Sequence, residues 1–150
     1  MRLSWLLPPV PVFLALAGCA LMPHPADPQI AAMADDVATA ASAFYATLAG
    51  EQAPDCAYGS NAAGYDKLDA LAADLKLDIV AAERSAALVK ASDALIQTLA
   101  DARATHVAAS ARLDDANGAC MAAGAITIDA DAVQRAATAI ATTQSNPGAQ

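Results

Sequence analysis

The sequence predicts an all-α protein, a small antiparallel helical bundle of three long helices and a short C-terminal one, stapled by a disulfide. Three observations predict it. Alanine supplies 44 of the 150 residues, and alanine is the best intrinsic helix former because it loses no side-chain entropy on entering a helix. Apolar residues recur at spacings of three and four through most of the chain after residue 28, which stacks them on single helix faces. Gly, Pro and Asn-Gly then interrupt the pattern at intervals that suit antiparallel neighbours.

The first helix starts at Asp27-Pro28, with a carboxylate at the N-cap and proline at the first helical position, where its missing N–H is no loss. Ile30, Met33, Val37, Ala41, Phe44 and Leu48 form its inner stripe, and Gly50 ends it. A second stripe runs through Tyr58, Ala62, Tyr65, Leu68, Ala72, Leu75 and Ile79, with Asp66, Lys67, Asp69, Asp74 and Lys76 off it. A third runs through Leu88, Ala91, Leu95, Leu99, Ala102, His106 and Leu113 and stops before Asn117-Gly118. Residues 79–88 contain neither Gly nor Pro, so the turn between these two helices is placed near Ser85 on weaker grounds. Ile126, Thr127 and Ile128 form a β-branched stretch, after which Asp129 or Asp131 caps a short last helix with Val133, Ala137 and Ile140 inside. The bundle therefore spans residues 28–145, and residues 146–150 form a frayed tail.

At 15.0 kDa the chain fits one domain. Its N-terminus has a different character. Arg2 precedes an apolar stretch from Leu3 to Leu16, of signal-peptide length and too short to span a bilayer. Pro8, Pro9 and Pro11 argue further against an uncleaved anchor helix. The stretch ends in Leu16-Ala17-Gly18-Cys19, a branched apolar residue, two small residues and a cysteine.

That tetrapeptide resembles the lipobox of bacterial lipoprotein precursors. The resemblance implies that residues 1–18 are removed as a signal peptide and that the Cys19 thiol carries a diacylglycerol. Several acyl chains, each CH₂ worth ~0.8 kcal/mol when buried, make such an anchor effectively permanent. The alternative is an ordinary secretory signal with an incidental cysteine. Ala20 rather than Asp after the cysteine implies, by resemblance to Gram-negative lipoproteins, sorting to the outer membrane rather than retention in the inner one. Residues 19–27, with Pro23 and Pro25 around His24, then form a semi-rigid tether. Loss of Arg2 with the signal leaves seven Lys and Arg against sixteen Asp and Glu, a net charge of −9. Nucleic acid and anionic lipid surfaces both reward clustered positive charge and are excluded as partners.

With Cys19 lipidated, Cys56 and Cys120 remain in a chain bound for an oxidising compartment, where thiols pair. Equal antiparallel arms about a midpoint at residue 88 bring the two within bridging distance. The loop of about 64 residues makes the bridge worth ~4 kcal/mol on the chain-entropy model. A single continuous helix over the same stretch would hold them tens of ångströms apart.

No catalytic set emerges. Met33 and His106 differ in height by about 20 Å in such a bundle, at ~1.5 Å per residue, too far to share a haem iron. Residues 114–118 (Asp-Asp-Ala-Asn-Gly) resemble a calcium loop only superficially, with the glycine early and no closing Glu. The Glu-x-x-His motif of di-iron bundles is missing too. No Ser/His/Asp or Cys/His constellation stands out, so no enzyme, metal or cofactor is expected. Tyr45, Tyr65 and His106 should lie at one level, with His106 half-buried and bonded to a Tyr hydroxyl or to Asp101, the one candidate ligand level in the chain. The expected role is a lipid-anchored, periplasm-facing module that holds an envelope protein partner. A small-ligand or lipid-binding bundle is the alternative.

Overall fold

The computed structural model describes residues 25–52, 55–112 and 121–145, and four α-helices account for nearly all of them. They are α1 (Pro28–Gly50), α2 (Tyr58–Ala81), α3 (Ala86–Ser110) and α4 (Ala123–Ser145). Each packs on two neighbours in the cyclic order α1, α2, α3, α4. The contacts fix the directions. Gln29 at the start of α1 donates to Asp78 near the end of α2 (2.8 Å), and the Tyr58 N–H at the start of α2 donates to Ser110 Oγ at the end of α3 (2.7 Å). The helices thus run up, down, up and down.

Side-chain caps explain the starts of α1 and α3. Asp27 Oδ1 accepts the N–H groups of Gln29 (3.0 Å) and Ile30 (3.4 Å), which satisfies two of the donors every helix start leaves open. Arg84, in the turn between α2 and α3, donates to the Pro25 carbonyl and pairs with Asp27, clasping this end of the bundle. Ser85 is the N-cap of α3, accepting from Leu88 N–H (3.3 Å). That is where the sequence placed the turn, and it is closed by Glu83 in the left-handed region at φ 51°.

The fourth helix corrects the sequence reading. It spans 23 residues, as many as α1, and it begins before the carboxylates expected to cap it. Ile126, Thr127 and Ile128 lie inside it. Tertiary burial overrides β-branched propensity here, since Ile126, Val133, Ala137, Ile140 and Ala141 continue one buried stripe from its first turns to its last. Thr127 also returns its hydroxyl to the Ala123 carbonyl at 3.0 Å. The architecture is therefore four long helices. None of the helices described is long and apolar enough to cross a membrane.

The inner stripes are narrow and rich in alanine. Ala34, Ala38 and Ala41 on α1, Ala72 on α2, Ala102 on α3 and Ala137 and Ala141 on α4 are all buried. Met33 and Phe44, expected inside, sit at the margin of the core. Asn61, Ser92, His106 and Gln144 are buried polar residues, and the first two close their bonds locally. Ser92 turns its hydroxyl back to Val89 O (2.7 Å), and Asn61 donates to Glu51 and to the carbonyls of Asp55 and Ala57. Both are satisfied by nearby groups, which makes their burial inexpensive.

Gly64 is the tightest point between α1 and α2. A Cβ there would stand 2.2 Å from Phe44 Cε2, and the Phe44 ring is held in place by Tyr45 and Tyr65 at centroid distances of 5.2 and 4.8 Å. Gly59, one turn earlier, has open space around it. Gly64→Ala should therefore destabilise the bundle by ~1–3 kcal/mol through overpacking, whereas Gly59→Ala should stabilise it by up to ~1 kcal/mol through helix propensity. Urea unfolding of the two variants checks the pair, and equal effects would contradict the close approach.

Candidate functional site

At the level of Tyr45, α1, α2 and α3 place aromatic side chains in the interior. Tyr45 from α1, Tyr65 from α2 and His106 from α3 are each at most 2 % exposed. The ring centroids of Tyr45 and Tyr65 are 6.4 Å apart, those of Tyr65 and His106 5.7 Å, and all these contacts are edge-on. Tyr58 closes one side, 5.9 Å from His106. Edge-to-face arrangements of this kind are the favoured ones for ring quadrupoles. The three residues that sequence reasoning placed on one level thus meet.

His106 differs from its expected setting. It is fully buried rather than half-buried, and its Nε2 lies 2.8 Å from the Cys56 carbonyl rather than on a Tyr hydroxyl. Asp101 is occupied elsewhere, accepting from Gln97 one helical turn away (2.8 Å). A carbonyl can only accept, so Nε2 carries the proton and donates. In neutral His106 this leaves Nδ1 as a bare acceptor. Helix α3 reaches back by this bond to the segment that precedes α2.

A further titratable group was missed from the sequence. Asp129 lies on α4, with Oδ2 fully enclosed. The sequence offers it, with Asp131, only as a cap of a short helix. Its spacing gives the signal: three residues after Ile126 and four before Val133, it continues the inner stripe once α4 is extended toward its true start. Burial raises the Asp129 carboxyl above the ordinary carboxylate range, and the attraction of His106 opposes that rise. Tyr45 and Tyr65 are also raised well above the usual phenol value, first by burial, then for Tyr45 by Tyr65 and Asp129, and for Tyr65 by Asp129. Tyr45 OH, Tyr65 OH, His106 Nδ1 and Asp129 Oδ2 all lack hydrogen-bond partners among the described residues.

Beside this layer, Arg103 of α3 ties α2 in place. It donates to Tyr58 OH (2.6 Å), Asp69 (2.7 Å) and Asp66, and its guanidinium lies 5.5 Å from the Tyr58 ring centroid. These bonds hold its pKa above the usual arginine value. A shallow groove of about 540 Å³ runs along the outer face of α3 beside it, lined chiefly by Ala100, Ala104, Val107 and Ala108. Among the described residues, no group of three or more His, Cys, Asp or Glu side chains is placed to hold a metal ion. The lipobox residues Leu16, Ala17 and Gly18, the lipidation candidate Cys19 and the half-cystine candidate Cys120 lie outside the described residues. Cys56 is buried at 1 % exposure, ahead of α2.

No protein family, curated protein or solved structure matches the chain.

The tyrosines give this layer a pH signature. A phenol whose folded pKa is raised keeps its proton while the unfolded chain releases it near pH ~10. Stability is then fully present below that value and lost as the pH rises above it. Unfolding should therefore set in on the alkaline side of pH ~10, and the double variant Tyr45→Phe/Tyr65→Phe should shift that onset upward. Circular dichroism during alkaline titration reads both, and an unchanged onset in the variant would show that other groups govern it.

Proposed function

We propose that the chain is the precursor of a lipid-anchored, periplasm-facing helical module with a structural or protein-interaction role and no catalytic activity. The observation that carries this reading is Leu16-Ala17-Gly18-Cys19 at the end of an apolar, signal-length stretch. The start of α1 at Pro28 supports it, because nine residues then lie between the expected cleavage point and that helix. Lipid on Cys19 then supplies the attachment, residues 19–27 the tether and the bundle the surface that a partner in the envelope uses. The sorting expectation for Ala20 places that attachment in the outer membrane.

The same reading pairs Cys56 with Cys120 in a disulfide. Its support is the oxidising compartment, the burial of Cys56, and the burial of Met121 where the described chain resumes. Such a bridge fixes the loop before α4 to the segment before α2, at the end of the bundle far from the anchor. A second reading, a bundle that takes a small ligand, draws on the unpartnered interior atoms of Tyr45, Tyr65 and His106.

Intact-mass spectrometry of the full-length protein, expressed in a bacterial envelope and purified from membranes, tests the set. The expected result is a polypeptide that begins at Cys19, carries acyl mass and takes up thiol-alkylating reagent only after reduction. An unacylated chain with residues 1–18 still attached would overturn the anchor. Two alkylated thiols before reduction would overturn the disulfide. Additional mass that leaves on denaturation would favour the ligand-binding reading over the interaction module.

A further inference from the structure

Helix α2 has apolar residues on two faces. Its inner stripe is buried, but Ala70, Ala73, Leu77, Val80 and Ala81 also recur at helical spacings, and all five are exposed. Leu77 is 64 % exposed and Val80 51 %, one turn apart on the same outer face. The other large exposed apolar side chains among the described residues are Val107, near the end of α3, and Ile128, near the start of α4. Each of those stands singly at the Cys56 end, as scattered surface residues commonly do. The pair on α2 lies at the opposite end of the bundle.

The tether leads to this pair. Arg84, in the turn that follows α2, donates to the Pro25 carbonyl at 2.9 Å, and Gln29 reaches Asp78, the residue after Leu77. The described chain therefore begins beside the end of α2. Only six peptide steps separate Pro25 from Cys19, a reach of at most about 20 Å at ~3.3–3.6 Å each. We propose that the outer face of α2, centred on Leu77 and Val80, rests on the lipid surface that holds the anchor, in the interfacial layer of zwitterionic phospholipid. The proposal rests on the acylation of Cys19 argued above.

An apolar contact of this size is too weak to bind lipid from solution. Acylation makes it intramolecular, and a short linker then supplies a high effective concentration of lipid surface. The charges nearby choose the kind of lipid. Asp74 and Glu83 flank the stripe and are exposed, while Lys76 is paired with Asp93. The contact thus draws on apolar burial, not on anionic headgroups, and the flanking carboxylates keep it shallow. Among the described residues α4 packs on α1 and α3 but not on α2, so it stands diagonally across the bundle. With α2 on the lipid, Ile128 faces the compartment.

Tryptophan fluorescence tests the contact. Trp5, the one tryptophan of the chain, leaves with the signal peptide, so an introduced tryptophan reports alone. Leu77→Trp and Ile128→Trp proteins, acylated and purified from membranes, are reconstituted into phosphatidylcholine vesicles with or without lipid bearing a shallow nitroxide. Quenching should be severalfold stronger in Leu77→Trp than in Ile128→Trp, and adding Val80→Asp to Leu77→Trp should abolish the difference. Equal quenching at both positions would overturn the contact, as would quenching that Val80→Asp leaves unchanged, since the introduced ring would then be its cause. A blue-shifted but unquenched Leu77→Trp would overturn it in favour of a second copy of the chain on this face. Flotation with the vesicles separates the two levels. Protein that floats without the quenching difference refutes the contact alone, whereas protein that fails to float refutes the anchor and the contact together.

Discussion

Alanine at the contacts between helices is the constraint on which the structure depends. With Ala34, Ala38, Ala41, Ala72, Ala102, Ala137 and Ala141 facing inward, the helices approach closely and the space between them is thin. The larger enclosed side chains, among them Ile30, Leu48, Leu68, Leu75, Ile79, Leu88, Leu95, Leu99 and Ile140, fill what alanine leaves open. Each buried methylene is worth only ~0.8 kcal/mol, and alanine brings just one methyl group. Such a core draws little from apolar burial per residue, and the ends of the bundle must be fixed by other means.

The two ends use different chemistry. At the Asp27 end the clasp is ionic and half-open to solvent, with Arg84 joining the Pro25 carbonyl and Asp27 while Gln29 reaches Asp78. Exposed pairs of this kind contribute little each, but here one of them coincides with a helix cap, which is worth about 1 kcal/mol. At the Cys56 end the fixings are internal. Arg103 gathers Tyr58, Asp66 and Asp69, and His106 donates to the Cys56 carbonyl in a layer of edge-to-face rings. Alanine packing leaves helices free to slide, since one small residue resembles the next. Rings that interlock edge to face, and a histidine committed to one carbonyl, define a single register.

Much of this was legible in the sequence because it rests on local rules. The Asp27-Pro28 start, the Ser85 turn and the stripes at spacings of three and four follow from capping and periodicity, and the shared level of Tyr45, Tyr65 and His106 follows from counting rise along antiparallel helices. The parts that were not legible depend on neighbours. The length of α4 was hidden by Ile126, Thr127 and Ile128, whose strand-like character burial overrides, and with that start misplaced Asp129 read as a cap rather than as a residue inside the helix. Gly64 carries no local sign that Phe44 lies across it. Nothing in the pattern marks Asn61 and Ser92 as buried, because their hydrogen bonds close chiefly onto nearby backbone. The partner of His106 is a backbone carbonyl fifty residues away, which no side-chain pattern announces.

The interior layer stands or falls on the bond from His106 Nε2 to the Cys56 carbonyl, and nitrogen NMR of the imidazole reads it directly. Two-bond ¹⁵N correlation spectra should show a proton on Nε2 that exchanges slowly with solvent, as a bond to the Cys56 carbonyl requires. A ring protonated on Nδ1 alone, or one whose Nε2 proton exchanges freely, would contradict the bond to Cys56 and with it the interior layer.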